Sequence, residues 1–97
     1  MTINKNLEAD KLTVAVEGRL DTSTAPELEK ELADLSGIKE LVLDFEKLEY
    51  VSSAGLRVLL ASQKIMNGQG KMLIKHVNET IMEVFEITGF ADILTIE

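Results

Sequence analysis

The sequence predicts an α/β domain: a mostly parallel, mixed sheet of about five strands with packed helices, in the order β-β-α-β-α-β-α-β. Three observations carry this. Apolar residues alternate with others at Leu12, Val14 and Val16, the period of a half-buried strand. They recur at three- and four-residue spacing at Leu28, Leu32 and Leu35, the period of a helix face. A continuous run such as Leu41-Val42-Leu43 suits the buried middle of a parallel sheet, whose strands need crossover helices between them. The 97 residues, 45% of them apolar, support one small core and show no repeat or linker, so residues 1–97 are read as a single domain.

Residues 3–7 alternate weakly, Ala9-Asp10 reads as a turn, and residues 12–16 form a second strand, which together predict an opening hairpin. Residues 18–24 read as a polar, hydroxyl-rich loop. Thr24 with Glu27 makes a capping box and Pro26 suits a first turn, so a helix follows, stopped by Ser36-Gly37. Residues 41–45 are the third strand and residues 46–53 a loop. From about residue 53 to residue 66 the chain reads as a helix apolar on most sides, and therefore well covered. Residues 67–70 are a turn and residues 71–75 a fourth strand. Asn78 can cap a third helix, with Ile81, Met82 and Phe85 inward and Gly89 at its end. Ile93, Leu94 and Ile96 predict a last strand. In such sheets, sites lie beyond the carboxyl ends of the strands, which sets the 21–24 and 46–53 loops side by side.

Composition excludes several functions. A net charge of −7 disfavours nucleic acid and anionic lipid and favours partners with basic surfaces. The absence of cysteine rules out disulfides and thiolate metal sites, which suits a cytoplasmic protein. No apolar run approaches the roughly 18 residues of a membrane span, and no signal peptide is evident, so membrane insertion is not expected. His76 is the only histidine. With scattered carboxylates around it, neither a metal site nor any cofactor is expected. A triad of Ser53, His76 and Asp44 can be written down. However, Val51-Ser52-Ser53-Ala54-Gly55 is not the Gly-x-Ser-x-Gly elbow, so no enzymatic activity is expected. Gly68-Gln69-Gly70 is too short for a phosphate-binding loop.

The informative segment is Ser52-Ser53-Ala54-Gly55, where an apolar stretch gives way to an apolar helix. A serine there can cap the helix. It can equally carry a phosphate, because the first N–H groups of a helix are unpaired and favour an anion. Asp21, Thr22 and Ser23 form either a solvated loop leading into Thr24 or part of a binding face. Arg57, one turn into the helix, either faces solvent or meets an acid or phosphate on a partner.

Three motifs settle the weighting: Gly18-Arg19-Leu20-Asp21, Leu41-Val42-Leu43-Asp44 and Tyr50-Val51-Ser52-Ser53-Ala54-Gly55-Leu56. Through them the chain resembles, over nearly its whole length, the STAS domains, and among these the stand-alone bacterial anti-sigma factor antagonists. The resemblance implies a partner switch. The unphosphorylated form binds an anti-sigma factor that is also a serine kinase, phosphorylation breaks that complex, and a metal-dependent serine phosphatase restores it. It implies Ser53 as the acceptor, with Ser52 the alternative, and a partner face of Asp21, Thr22, Ser23, Ser52, Ser53, Ala54, Gly55 and Arg57. Ser52 stands where family members often carry aspartate. The family usually adds a helix beyond the equivalent of Glu97, so a face left open, or a monomer that pairs weakly with a second copy, is expected. The other reading the resemblance allows is a STAS subunit docked on a membrane ABC transporter.

Overall fold

The computed structural model describes residues 1–97. An antiparallel hairpin, β1 (Thr2–Glu8) and β2 (Lys11–Leu20), opens the chain and turns at Ala9-Asp10. Helix α1 (Ala25–Glu31) leads to β3 (Glu40–Asp44), then β4 (Leu48–Val51) and the long helix α2 (Ser53–Asn67). Strand β5 (Lys71–Lys75), helix α3 (Glu79–Thr88) and a single 3₁₀ turn (Phe90–Asp92) complete it. The sheet order is β1-β2-β3-β5, with β3 parallel to both β2 and β5, while β4 pairs in parallel with β2 alone.

The five-stranded mixed sheet therefore stands, but two of its expected details change. Residues 48–51 form a strand where a loop was expected, and β2 runs on through Gly18 to Leu20 to meet it. Its alternation is hidden because the ladder slips by one residue between Gly18 and Arg19, leaving Glu49 unpaired with β2. Residues 93–96 do not form a strand. Gly89 takes the left-handed conformation that ends α3, and the 3₁₀ turn uses up the next residues. What remains of the expected strand is one bridge, with Ile74 bonded to Thr95 and Glu97 through its N–H and carbonyl. The element order is thus β-β-α-β-β-α-β-α.

Helix α1 is also shorter than its apolar period. It ends at Glu31, although Leu32 and Leu35 still point into the core from the following turns. Asn78 caps α3 as expected, its side-chain oxygen accepting from the Ile81 N–H at 2.8 Å. The Gly70 backbone lies against the Lys39 backbone so closely that a Cβ would fall 2.0 Å from the Lys39 carbonyl oxygen. Only glycine lets α2 hand over to β5 beside the start of β3.

All three helices feed one core. Leu28 of α1, Leu56 and Leu59 of α2, and Ile81 and Phe85 of α3 join Leu12, Val14, Leu41, Leu43, Met72 and Ile74 in one apolar cluster. The opposite sheet face carries the rows Thr13-Val42-Leu73 and Ala15-Asp44-Lys75, none of which belongs to that cluster. Helices on one side only leave the carboxyl ends of β2, β3, β4 and β5 as the places where loops can build a site. No helix is long and apolar enough to cross a membrane.

Candidate functional site

The carboxyl ends of β2 and β4 are tied together where β4 enters α2. The Ser52 N–H donates to the Leu20 carbonyl at 2.8 Å, and the Ser52 carbonyl accepts from the Leu56 N–H at 2.9 Å. Ser52 is therefore the N-cap residue by backbone position, and Ser53 is the first residue of the helix. The Ser52 side chain makes no cap bond. Its hydroxyl oxygen is buried without any partner. Ser53, in contrast, is exposed. The two adjacent hydroxyls thus have opposite access to solvent, which the sequence could not separate.

Gly55 is buried beneath the first turn. A Cβ there would lie 2.6 Å from Leu20 Cγ and 3.2 Å from the Leu20 carbonyl oxygen. Its role is to let α2 sit down on the end of β2, so it shapes the face from below and offers a partner no contact of its own. Ala54 is half-buried, and together with Thr22 and Arg57 it lines a groove of about 200 Å³ between α1 and α2. Thr22, Ser23 and Arg57 are exposed and Asp21 is half-buried.

The 21–24 loop holds itself together. Asp21 Oδ1 accepts from the Ser23 N–H at 3.0 Å, the Ser23 hydroxyl at 2.8 Å and the Thr24 N–H at 3.2 Å. The Ser23 hydroxyl is the main reason, followed by the Ser23 and Thr24 N–H groups, that the Asp21 carboxyl is held below the ordinary carboxylate range. Thr24 does not close the expected capping box. Its hydroxyl accepts from the Asp21 N–H at 2.8 Å and donates to the Arg19 carbonyl at 2.7 Å, locking the loop back onto β2. The structure thus brings both hydroxyl-rich segments to the same end of the molecule, as their positions in the sequence imply.

One arrangement escaped the sequence, and a second was conceivable from it only as part of a triad. Arg19 lies over the Tyr50 ring, 4.6 Å from its centroid, because β2 and β4 pair these residues. At the ends of β3 and β5, the Asp44 carboxylate meets His76 Nδ1 at 2.9 Å and also accepts from the Glu46 N–H at 3.0 Å. Hydrogen bonding with Asp44 raises the His76 pKa above its ordinary value, and the same contact lowers that of Asp44. Asp44, Glu46 and His76 each offer a donor atom within 4.8 Å of the others, a closeness that parallel pairing of β3 with β5 creates. The hydrogen bond that His76 makes is to Asp44, and none links it to Ser53.

The match to known proteins agrees with this architecture. A family model described as "Mlab, STAS domain" matches residues 3–95, and the chain belongs to that family. It is 35% identical to the anti-sigma-B factor antagonist of Staphylococcus aureus, over 95% of this chain and 92% of that one. It is 38% identical to BtrV of Bordetella bronchiseptica, over 88% of this chain and 76% of that one. In fold it is similar to an anti-sigma factor antagonist from Mycobacterium paratuberculosis, with TM-score 0.87 at 22% identity, covering 98% of this chain and 83% of that one. It is also similar to unphosphorylated SpoIIAA, with TM-score 0.78 at 14% identity, covering 99% of this chain and 87% of that one.

Proposed function

We propose that this chain is an anti-sigma factor antagonist that works by partner switching at Ser53. Unphosphorylated, it binds an anti-sigma factor that is also a serine kinase. Phosphorylation of Ser53 releases it, and a metal-dependent serine phosphatase resets it. The chain acts as a binding module with no chemistry of its own. The observation that carries this reading is the contrast at the start of α2: Ser53 is open to solvent beside Ala54, while the Ser52 hydroxyl is sealed. A kinase can reach the first and not the second. Around it Thr22, Ser23 and Arg57 are exposed and Asp21 and Ala54 half-buried, a surface that a second protein can cover.

A phosphoryl group adds about −1.5 to −2 charges and three acceptor oxygens at that spot. On a chain already at −7, near the ionised Asp21 loop, desolvating such an anion under a docked protein is unfavourable. A cost of about 2–4 kcal/mol weakens binding roughly 30- to 1000-fold. The fold needs no rearrangement for this, because an anion at the first residue of a helix is favoured by the helix itself.

The test is a titration of the purified anti-sigma factor into Ser53→Asp and Ser53→Ala. The first is expected to lose binding and the second to keep it, both with the thermal stability of the parent. Equal affinity of the two variants defeats the switch. Peptide mass analysis after incubation with the kinase and ATP is expected to place a single phosphoryl group on Ser53, and a group on Ser52 in its place defeats the assignment.

A further inference from the structure

The groove that begins beside Ala54 does not stop at the Ser53 face. It continues between α1 and α2 as a second cavity of about 140 Å³, and the two share Glu29 and Val58 as lining. The floor of the second part is Leu32, Ala33, Val58, Ala61 and Ile65. Ile65 is 45% exposed there, so the expectation that α2 is covered on most sides fails along this stripe. The reason is geometric. Helix α1 ends at Glu31 and cannot follow α2 to its carboxyl end, and the alanines at 33 and 61 leave the trough unfilled.

The banks carry charge of opposite sign. Arg57 lines the first part, and Lys64, two turns further along α2, shares its side of the helix by spacing; both are exposed and neither takes part in an ion pair. Glu29 stands on the α1 bank. From Ala54 to Ile65 the trough runs eleven residues along α2, about 17 Å at 1.5 Å per residue, which matches about three turns of a second helix.

We propose that this trough seats an amphipathic helix of the partner protein, about three turns long, with an apolar stripe on Val58, Ala61 and Ile65 and an acidic flank toward Arg57 and Lys64. The proposal rests on the reading of the chain as an antagonist and extends its docking surface from the Ser53 face to the far end of α2. Continuity of the trough with that face and the two free cations select this occupant over a second copy. Two copies at −7 each repel, and the large apolar side chain most exposed elsewhere, Ile87, lies on α3 outside the trough.

The experiment uses the intact chain and the purified anti-sigma factor from the same genome, followed by calorimetric titration. Ala61→Glu and Ile65→Asp place charge in the trough at solvent-exposed positions and are expected to weaken binding about tenfold or more, as expected for a buried charge at an interface. Reversal of both cations, Arg57→Glu with Lys64→Glu, is expected to weaken it severalfold, and Ile87→Asp to leave it unchanged. Unaltered thermal unfolding of each variant shows that the fold is intact. If Ser53→Asp abolishes binding while Ala61→Glu and Ile65→Asp bind like the parent, the trough is not part of the interface and the switch stands. If the trough variants fail while Ser53→Asp binds normally, the trough stands and the switch falls. A concentration-dependent dimer that Ala61→Glu dissolves overturns the proposal in favour of self-association.

Discussion

Two short segments form the candidate face, and they are built on opposite principles. The 21–24 loop is saturated with hydrogen bonds: the Asp21 carboxylate and the Thr24 hydroxyl satisfy one another's backbone and tie the loop to Arg19. The 52–55 turn has no side-chain hydrogen bond at its cap and is placed by packing, with Gly55 pressed on Leu20 and a single backbone bond from Ser52. The difference matters for a switch. A residue that holds the fold cannot be modified without loosening it, whereas the exposed Ser53 side chain makes no hydrogen bond, so the change of charge proposed there would leave the scaffold as it was. Rigidity is therefore supplied by one segment, and the other leaves an exposed hydroxyl free for the switch proposed above.

The sharpest break of this comparison is at Gly55. Gly55→Ala forces a methyl group to within 2.6 Å of Leu20 Cγ, and the strain of about 1–3 kcal/mol exceeds the roughly 0.5–1 kcal/mol that alanine gains over glycine in a helix. A net loss of about 1–2 kcal/mol is expected in urea unfolding. A stabilised variant would show that packing does not place α2. Next is Thr24→Val, which keeps the shape but strands the Asp21 N–H and the Arg19 carbonyl, at a cost of about 1–2 kcal/mol. Its loss should fall on stability first and on partner binding second. An unchanged midpoint would mean that water replaces both bonds at no cost.

Ser52→Ala has the opposite expected sign. An N-cap serine normally contributes stability, but this hydroxyl is buried and unpartnered, so removing it relieves desolvation. The variant is expected to be as stable as the parent or slightly more so, by up to about 1 kcal/mol, and to be phosphorylated normally. A destabilised Ser52→Ala would restore a capping role for the residue and erase the contrast with Ser53.

How far these roles could be read from residues alone follows from the same physics. Periodicity exposed β2, β3, β5 and α3, because each presents a clean face to the core or lies wholly within it. It missed β4, whose four residues are interrupted by the register slip, and it invented a strand at residues 93–96, where apolar content was right but Gly89 and the 3₁₀ turn left too little chain. At the candidate site, residue types and strand order placed both hydroxyl-rich segments at one end of the sheet, where the structure has them. They could not tell which serine faced out, since that depends on how deeply Gly55 lets α2 settle. The Arg19–Tyr50 pair was equally illegible, because it requires knowing which strands are neighbours, whereas Asp44 and His76 could be set near one another only as members of a conceivable triad.

The smallest expected effect concerns the second strand-end cluster, and it separates that cluster from the Ser53 face. His76 gains a hydrogen bond to Asp44 on folding, so its folded pKa lies above 6.5, and the protonated form favours the native state. That contribution is complete below pH 6.5 and is lost as pH rises through the folded value. Asp44 runs the other way. Its folded pKa lies below 3.8, so its contribution is present above 3.8 and lost as acid protonates it. Both act together only between these limits. His76 is exposed and sits at a positive φ of 61°, so His76→Asn is the suitable variant, asparagine tolerating that conformation while removing the titration. Urea midpoints taken from about pH 5 to about pH 9 should show the parent losing its small advantage over His76→Asn as the imidazole deprotonates. Binding of the anti-sigma factor should show no such pH step, because the interface is assigned to α2 and the 21–24 loop. A binding affinity that follows the imidazole would draw the Asp44–His76 end into the docking surface and require the two strand ends to be treated as one site.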